Sequence, residues 1–295
     1  MSPEARQSVT IALAQTPVSP DVSRNLGHIT AMMRKAKAAG ADLVQFTEGA
    51  LSGYGRKVLT PFEQWHAENW AQLRQASDRI ASLADELGLW VLIGSVHPLE
   101  NGSRPHNCLY LIGPDGTVRT RYDKRFCSHA ELSGWYTPGV EPTLFEINGV
   151  RFGCAICLEV RFPEVFDEYR RLGAQCVLVS TFTAARLDKE DARQDDIFAI
   201  TAQAHAANNS FWVSLVTPSN PFQGPVTQLI DPLGKVVAKA SRHRNALVLG
   251  RVDIGEGSLW NKIGFGRAWR DSARDGAIYR ALRIDTPRSR DRQRF

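Results

Sequence analysis

Residues 150–180 read V-R-F-G-C-A-I-C-L-E-V-R-F-P-E-V-F-D-E-Y-R-R-L-G-A-Q-C-V-L-V-S. An apolar strand from Val150 to Ile156 turns sharply at Cys157, a helix follows from about Pro163 to Leu172, and C-V-L-V-S resumes as a strand. Strand, crossover helix and strand form the repeating unit of an α/β sheet. Upstream, the N-G pair at Asn148 and Gly149 turns the strand T-L-F-E-I into this unit, as expected of a hairpin.

The same alternation runs outward in both directions. Val9 to Gln15 reads as a strand, a helix spans roughly Ser23 to Ala39 and stops at Gly40, and Asp42 to Phe46 is a buried strand. A second helix covers about Glu68 to Leu87, with Gly88 as its C-terminal stop. W-V-L-I-G-S-V and C-L-Y-L-I-G-P are strands, and Pro114 to Gly116 turns into T-V-R-T-R-Y. Downstream, a helix from about Lys189 to Ala207 precedes the strands F-W-V-S-L-V, V-T-Q-L-I, K-V-V-A-K and A-L-V-L-G-R-V. A long polar loop from Lys124 to Pro142 breaks the rhythm, and loops of that length inside a compact domain tend to be functional. Crossover helices with late hairpins predict an α/β fold with a mixed sheet or two sheets and the helices outside. No repeat or linker divides the chain, so residues 1–295 are expected to form one domain, with 265–295 a C-terminal arm and basic tail.

Composition narrows the class. The 295 residues are 43% hydrophobic and 23% charged, ordinary for a globular protein. The opening residues lack a signal-peptide layout and no apolar run is long enough to span a bilayer, which predicts a cytoplasmic protein. Five cysteines, an odd number, suit reduced thiols better than a disulfide framework. The formal charge of +5 gathers at the end, where R-A-L-R-I-D-T-P-R-S-R-D-R-Q-R-F holds six arginines against two aspartates. That block reads as a solvated tail, and it lacks the aromatic interleaving of a nucleic-acid-binding surface.

Three residues at strand ends carry the chemistry. Cys157 sits at a strand-to-helix elbow, where a helix N-terminus is expected to favour the thiolate and the Leu158 N–H is placed to donate to an oxyanion. Glu48 leaves the strand D-L-V-Q-F in the loop T-E-G-A-L-S-G-Y-G. Lys124 closes T-V-R-T-R-Y-D-K. Singly, these are an ordinary buried thiol, a solvated acid and a surface charge. Together they are what a thiol attacking an amide requires: a base to move its proton, and a fixed positive charge with an N–H where negative charge develops on oxygen.

At these residues the sequence resembles the carbon–nitrogen hydrolase (nitrilase) superfamily, amidase-like branch. A-G-A-D-L-V-Q-F-T-E-G-A-L-S-G-Y is similar to its glutamate block, R-Y-D-K-R-F to its lysine block, and C-L-E-V-R-F-P-E to its nucleophile block. Glu131, in H-A-E-L-S-G-W-Y-T-P-G, matches a further acid between lysine and cysteine. The resemblance implies an α-β-β-α sandwich and a Glu-Lys-Cys triad with Cys157 as nucleophile, Glu48 as base and Lys124 as oxyanion stabiliser. Glu131 would orient the lysine or substrate. It also implies no metal or other cofactor, and a homodimer or larger assembly. Thr47 stands where the family usually has proline, Leu158 and Glu159 replace a frequent Tyr-Asp pair, and His205 to Asn209 depart from R-A-x-E-N.

The expected reaction is hydrolysis of a small amide through a cysteine thioester, with carbamoyl or nitrile substrates on the same triad left open. Substrate contacts are expected from Tyr54, Trp135, Phe182 and Arg186. Two other classes stay in view: a thiol–disulfide exchanger using Cys154 and Cys157, and a silent scaffold or binding protein that kept the fold.

Overall fold

The computed structural model describes residues 7–54, 65–100, 102–182, 196–220 and 224–293. Among the described residues, twelve strands form two six-stranded sheets. The first runs in the order β12 (Ala246–Asp253), β1 (Ser8–Gln15), β2 (Leu43–Gln45), β3 (Trp90–His97), β4 (His106–Ile112), β5 (Val118–Asp123). The second runs β11 (Val236–Lys239), β10 (Gln228–Ile230), β9 (Trp212–Val216), β8 (Cys176–Ser180), β7 (Val150–Ile156), β6 (Leu144–Ile147). Each sheet has a parallel centre, β1-β2-β3 in one and β7-β8-β9 in the other, flanked by antiparallel strands.

The side chains of the central strands explain the layering. In β1, Val9, Ile11 and Leu13 point between the sheets, whereas Ala12 and Ala14 point outward under the helices. In β8, Cys176 and Leu178 face inward, and Val177 and Val179 face outward. Alternation places consecutive residues on opposite faces, and both faces are covered, so apolar residues stand on both faces of these strands. Helices α1 (Val22–Ala38) and α2 (Ala67–Leu87) cover the first sheet. Helices α4 (Pro163–Arg171) and α5 (Asp196–Asn209) cover the second. The result is the α-β-β-α sandwich.

The local signals act as expected where they are strong. Asp21 caps α1 by accepting from the Arg24 N–H, and Gly88 ends α2 in the left-handed region at φ 55°. One difference concerns the long loop. The loop from Lys124 to Pro142 contains a short helix, α3 (His129–Gly134), started by Ser128, whose hydroxyl accepts from the Glu131 N–H. The helix expected from about Lys189 is described over Asp196–Asn209, and residues 189–195 lie outside the described residues.

The C-terminal arm opens with α6 (Gly264–Arg274), which docks through polar contacts. Arg170 of α4 pairs with Asp271 at 2.8 Å, and Arg270 donates to the Ala207 carbonyl at 3.1 Å and to Ser210. Among the described residues, no helix is long and apolar enough to cross a membrane.

Where the two sheets meet, Thr47 donates its hydroxyl to the Thr181 carbonyl, and Gln45 is hydrogen-bonded to Ser180 and Ser214. Thr47 is fully buried, and a proline at this position has no hydroxyl to give. Replacing Thr47 with valine keeps the shape but leaves that carbonyl short of a donor. It should cost about 1–2 kcal/mol in urea denaturation.

Candidate active site

The loop after β2 carries Glu48 against the neighbouring strand. A Cβ at Gly94 of β3 would run into the Thr47 carbonyl and the Gly49 nitrogen, so only glycine lets the loop lie this close. Lys124 follows β5 directly and is anchored through its own backbone, with its N–H on the Asn107 carbonyl and its carbonyl accepting from Gly139. From the second sheet, β7 delivers Cys157 and β8 leads to Phe182. Glu48, Lys124, Cys157 and Glu131 are all buried.

Lys124 is the centre of the charge network. Its Nζ lies 2.9 Å from Glu48 Oε1 and 2.7 Å from Glu131 Oε1. Asn107 of β4 donates to the same two oxygens, at 2.7 Å to Glu48 and 3.4 Å to Glu131. Helix α3 presents Glu131 with its second oxygen already engaged by the Ser128 N–H at 2.6 Å. The Phe182 N–H donates to Glu48 Oε2 at 2.7 Å and also stabilises a Cys157 thiolate.

The two carboxylates are driven apart. Burial raises the pKa of Glu48 and Glu131 adds to the rise, against the pull of Lys124. For Glu131, burial is outweighed by Lys124 and by hydrogen bonds from Lys124 and Ser128, so its pKa falls. Lys124 loses solvation too, but the surrounding anions, Glu48 foremost, hold it well above its usual value as a fixed cation. The two carboxylates that share Lys124 thus shift in opposite directions, Glu48 up and Glu131 down.

Cys157 adopts φ 52°, in the left-handed region that non-glycine residues seldom occupy. This is the elbow that the sequence indicated, but the thiol expectation is reversed. Burial pushes the Cys157 pKa well above 9.0, and Glu48 and Glu131 push further, against Lys124 and the Phe182 N–H. The element following the thiol is a five-residue 3-10 turn, Cys157–Arg161, and α4 begins only at Pro163. Burial is the largest of these influences on the sulfur.

Of the residues expected to contact substrate, Tyr54 and Phe182 come together, with ring centroids 4.8 Å apart. Tyr54 also stacks with Tyr136 at 6.2 Å and lies 5.9 Å from Lys124 Nζ. Trp135 packs against the same buried cluster as Tyr54 and Tyr136. Arg186 lies outside the described residues. Sequence reasoning missed Asn107 and the Phe182 N–H. A polar residue inside the apolar run N-C-L-Y-L-I was the one available sign of the first, and a backbone donor leaves none.

The family profile described as carbon–nitrogen hydrolase matches residues 10–262, most of the chain. The chain belongs to the carbon–nitrogen hydrolase family. Among curated carbon–nitrogen hydrolase relatives, human omega-amidase NIT2 is 25% identical over 260 residues, covering 84% of this chain and 89% of that protein. An amidase from Nesterenkonia sp. superposes with a TM-score of 0.71 at 24% identity, covering 91% of this chain and 100% of that one. A glutamate-to-glutamine variant of the Nesterenkonia sp. AN1 amidase, 22% identical with a TM-score of 0.71 over 91% of this chain and 99% of its own, holds the acetamide moiety of fluoroacetamide covalently at its active-site cysteine.

Proposed function

We propose that this carbon–nitrogen hydrolase cleaves the C–N bond of a small amide through a thioester on Cys157, releasing ammonia or an amine and a carboxylic acid. The observation that carries the reading is one buried ammonium shared by two carboxylates of opposite pKa shift, beside a thiol held in a left-handed elbow. The acetamide adduct on the active-site cysteine of the related amidase supports the same covalent chemistry.

In the first half-reaction Glu48 takes the Cys157 proton as sulfur attacks the amide carbon. The oxyanion is held by the Lys124 ammonium and the Leu158 N–H. Glu48 then returns the proton to the departing nitrogen, and the thioester remains. In the second half-reaction Glu48 takes a proton from water, hydroxide adds to the thioester carbon, and the proton goes back to sulfur as the acid leaves. Glu131 keeps its charge throughout and fixes the position of Lys124. Tyr54, Tyr136 and Phe182 form an aromatic wall beside the lysine, which suits a short organic group on the acyl side.

The exposed apolar side chains of the arm, Phe265, Leu282 and Ile284, support assembly with a second copy of the chain, as a homodimer or larger. Five free thiols support a reducing, cytoplasmic setting.

The test is ammonia release from a panel of small amides, ω-amides, N-carbamoyl compounds and nitriles, run beside Cys157→Ala. Amides should be the preferred class, and turnover should fall to background in the variant. Equal activity in both proteins would overturn the nucleophile, and turnover confined to nitriles would overturn the amide reading.

A further inference from the structure

The thiol and the lysine arrive from different sheets, so something must fix the distance between them. Lys124 ends β5 of the first sheet, and Cys157 ends β7 of the second. Between them lies Glu159, fully buried and two residues beyond the thiol. Its Oε1 accepts from the N–H of Arg125 at 2.8 Å and of Phe126 at 3.1 Å, the two peptides that follow Lys124. Its Oε2 accepts from the N–H of Ile156 at 2.6 Å, the peptide that precedes Cys157. The Tyr122 hydroxyl, two residues before Lys124, sits 2.8 Å from both oxygens.

One carboxylate thus holds the backbone on both sides of the site, one oxygen for each catalytic strand. We infer that Glu159 is a positioning residue that sets the placement of the Lys124 ammonium relative to the Cys157 sulfur. This rests on the proposed roles of Cys157 and Lys124.

The assignment goes beyond satisfying buried donors. A buried acid that only stabilised the elbow would need partners on its own segment, yet three of its four donor groups belong to the lysine strand and its turn. That turn is fastened in addition by Arg125, which reaches Glu168 of α4 at 2.7 Å and lies 3.4 Å from the Tyr122 hydroxyl. Glutamine at 159 has one acceptor oxygen and one donor NH2, so it can serve one strand but sets N–H against N–H on the other. Aspartate keeps both oxygens and the charge but falls one methylene short.

The experiment uses Glu159→Gln, Glu159→Asp and Tyr122→Phe in the full chain, with Cys157→Ala alongside. Three quantities are read: kcat and KM on the amide preferred by the parent, normalised to the folded fraction by circular dichroism, and the pH profile of Cys157 alkylation by iodoacetamide. Glu159→Gln should lower kcat by about 10²-fold with KM within about threefold, the scale expected of a displacement near 1 Å between reacting groups. Its alkylation profile should move to higher pH, because a displaced Lys124 supports the thiolate less. Aspartate should recover part of the loss, and Tyr122→Phe should show the same pattern more weakly. The last two variants decide the matter if glutamine prevents folding, and the alkylation profile decides it if no amide in the panel turns over. Unchanged kcat and an unmoved profile would overturn the inference about Glu159 alone. Turnover by Cys157→Ala would instead overturn the nucleophile, whatever the Glu159 variants do.

Discussion

Glu48→Gln should lower kcat by about 10³-fold, within the range for loss of a general base, while iodoacetamide alkylates Cys157 faster at neutral pH than in the parent. The two effects have opposite signs because Glu48 acts on the thiol in two ways. As a base it carries the proton that must leave sulfur and reach nitrogen. As a charge it is the next cause, after burial, of the raised Cys157 pKa. Glutamine removes both, so the thiolate forms more readily but turnover has no proton carrier. Stability supplies a further check. The raised pKa of Glu48 means that the folded state holds this proton more tightly than the unfolded chain, so its contribution is complete below 4.5 and is lost as pH rises through the folded value. The parent should therefore lose melting temperature more steeply than Glu48→Gln as pH rises through that value. Parallel loss of turnover and alkylation would show that Glu48 shapes the site rather than moving the proton.

The twelve strands were legible because their signal is local. Short apolar runs were bounded by Gly, Pro and Asn turns, and alternation around β1 and β8 says nothing that the third dimension contradicts. The candidate site residues share a different signal: Glu48, Lys124 and Cys157 each lie just beyond a strand, and a strand end is where a side chain can leave the sheet. What could not be read depends on distances across the sandwich. The pKa direction at Cys157 follows from how deeply the sulfur is buried beside two carboxylates, and nothing in C-L-E-V-R encodes that depth. The tie from Glu159 to Arg125 and Phe126 spans more than thirty positions in sequence. Helix α3 was hidden in the long loop because one and a half turns are too short for a periodic apolar pattern, although Ser128 and Glu131 together form a capping box.

Lys124→Met should damage activity and fold together, lowering kcat by at least about 10²-fold through loss of oxyanion stabilisation. It should also cost about 3–5 kcal/mol of stability, the usual consequence of leaving buried charge without its partner. Lys124 has no exposed side-chain surface and contacts two carboxylates within 3 Å. Methionine leaves Glu48 and Glu131 facing each other, joined only by Asn107, and one of them must take a proton for the fold to persist. The two losses can be separated by adding Glu131→Gln. That change removes the fixed anion whose main partner was the lysine, so the double variant should regain part of the melting temperature lost by Lys124→Met. Turnover should stay absent, because the positive charge beside the oxyanion has not been restored. A double variant that recovered turnover together with stability would make Lys124 a neutraliser of two buried acids and leave the oxyanion to backbone donors. Recovery of stability alone would assign the lysine both tasks, and would explain why one ammonium is given two carboxylates: Glu131 keeps the cation in place during the steps in which Glu48 carries the proton.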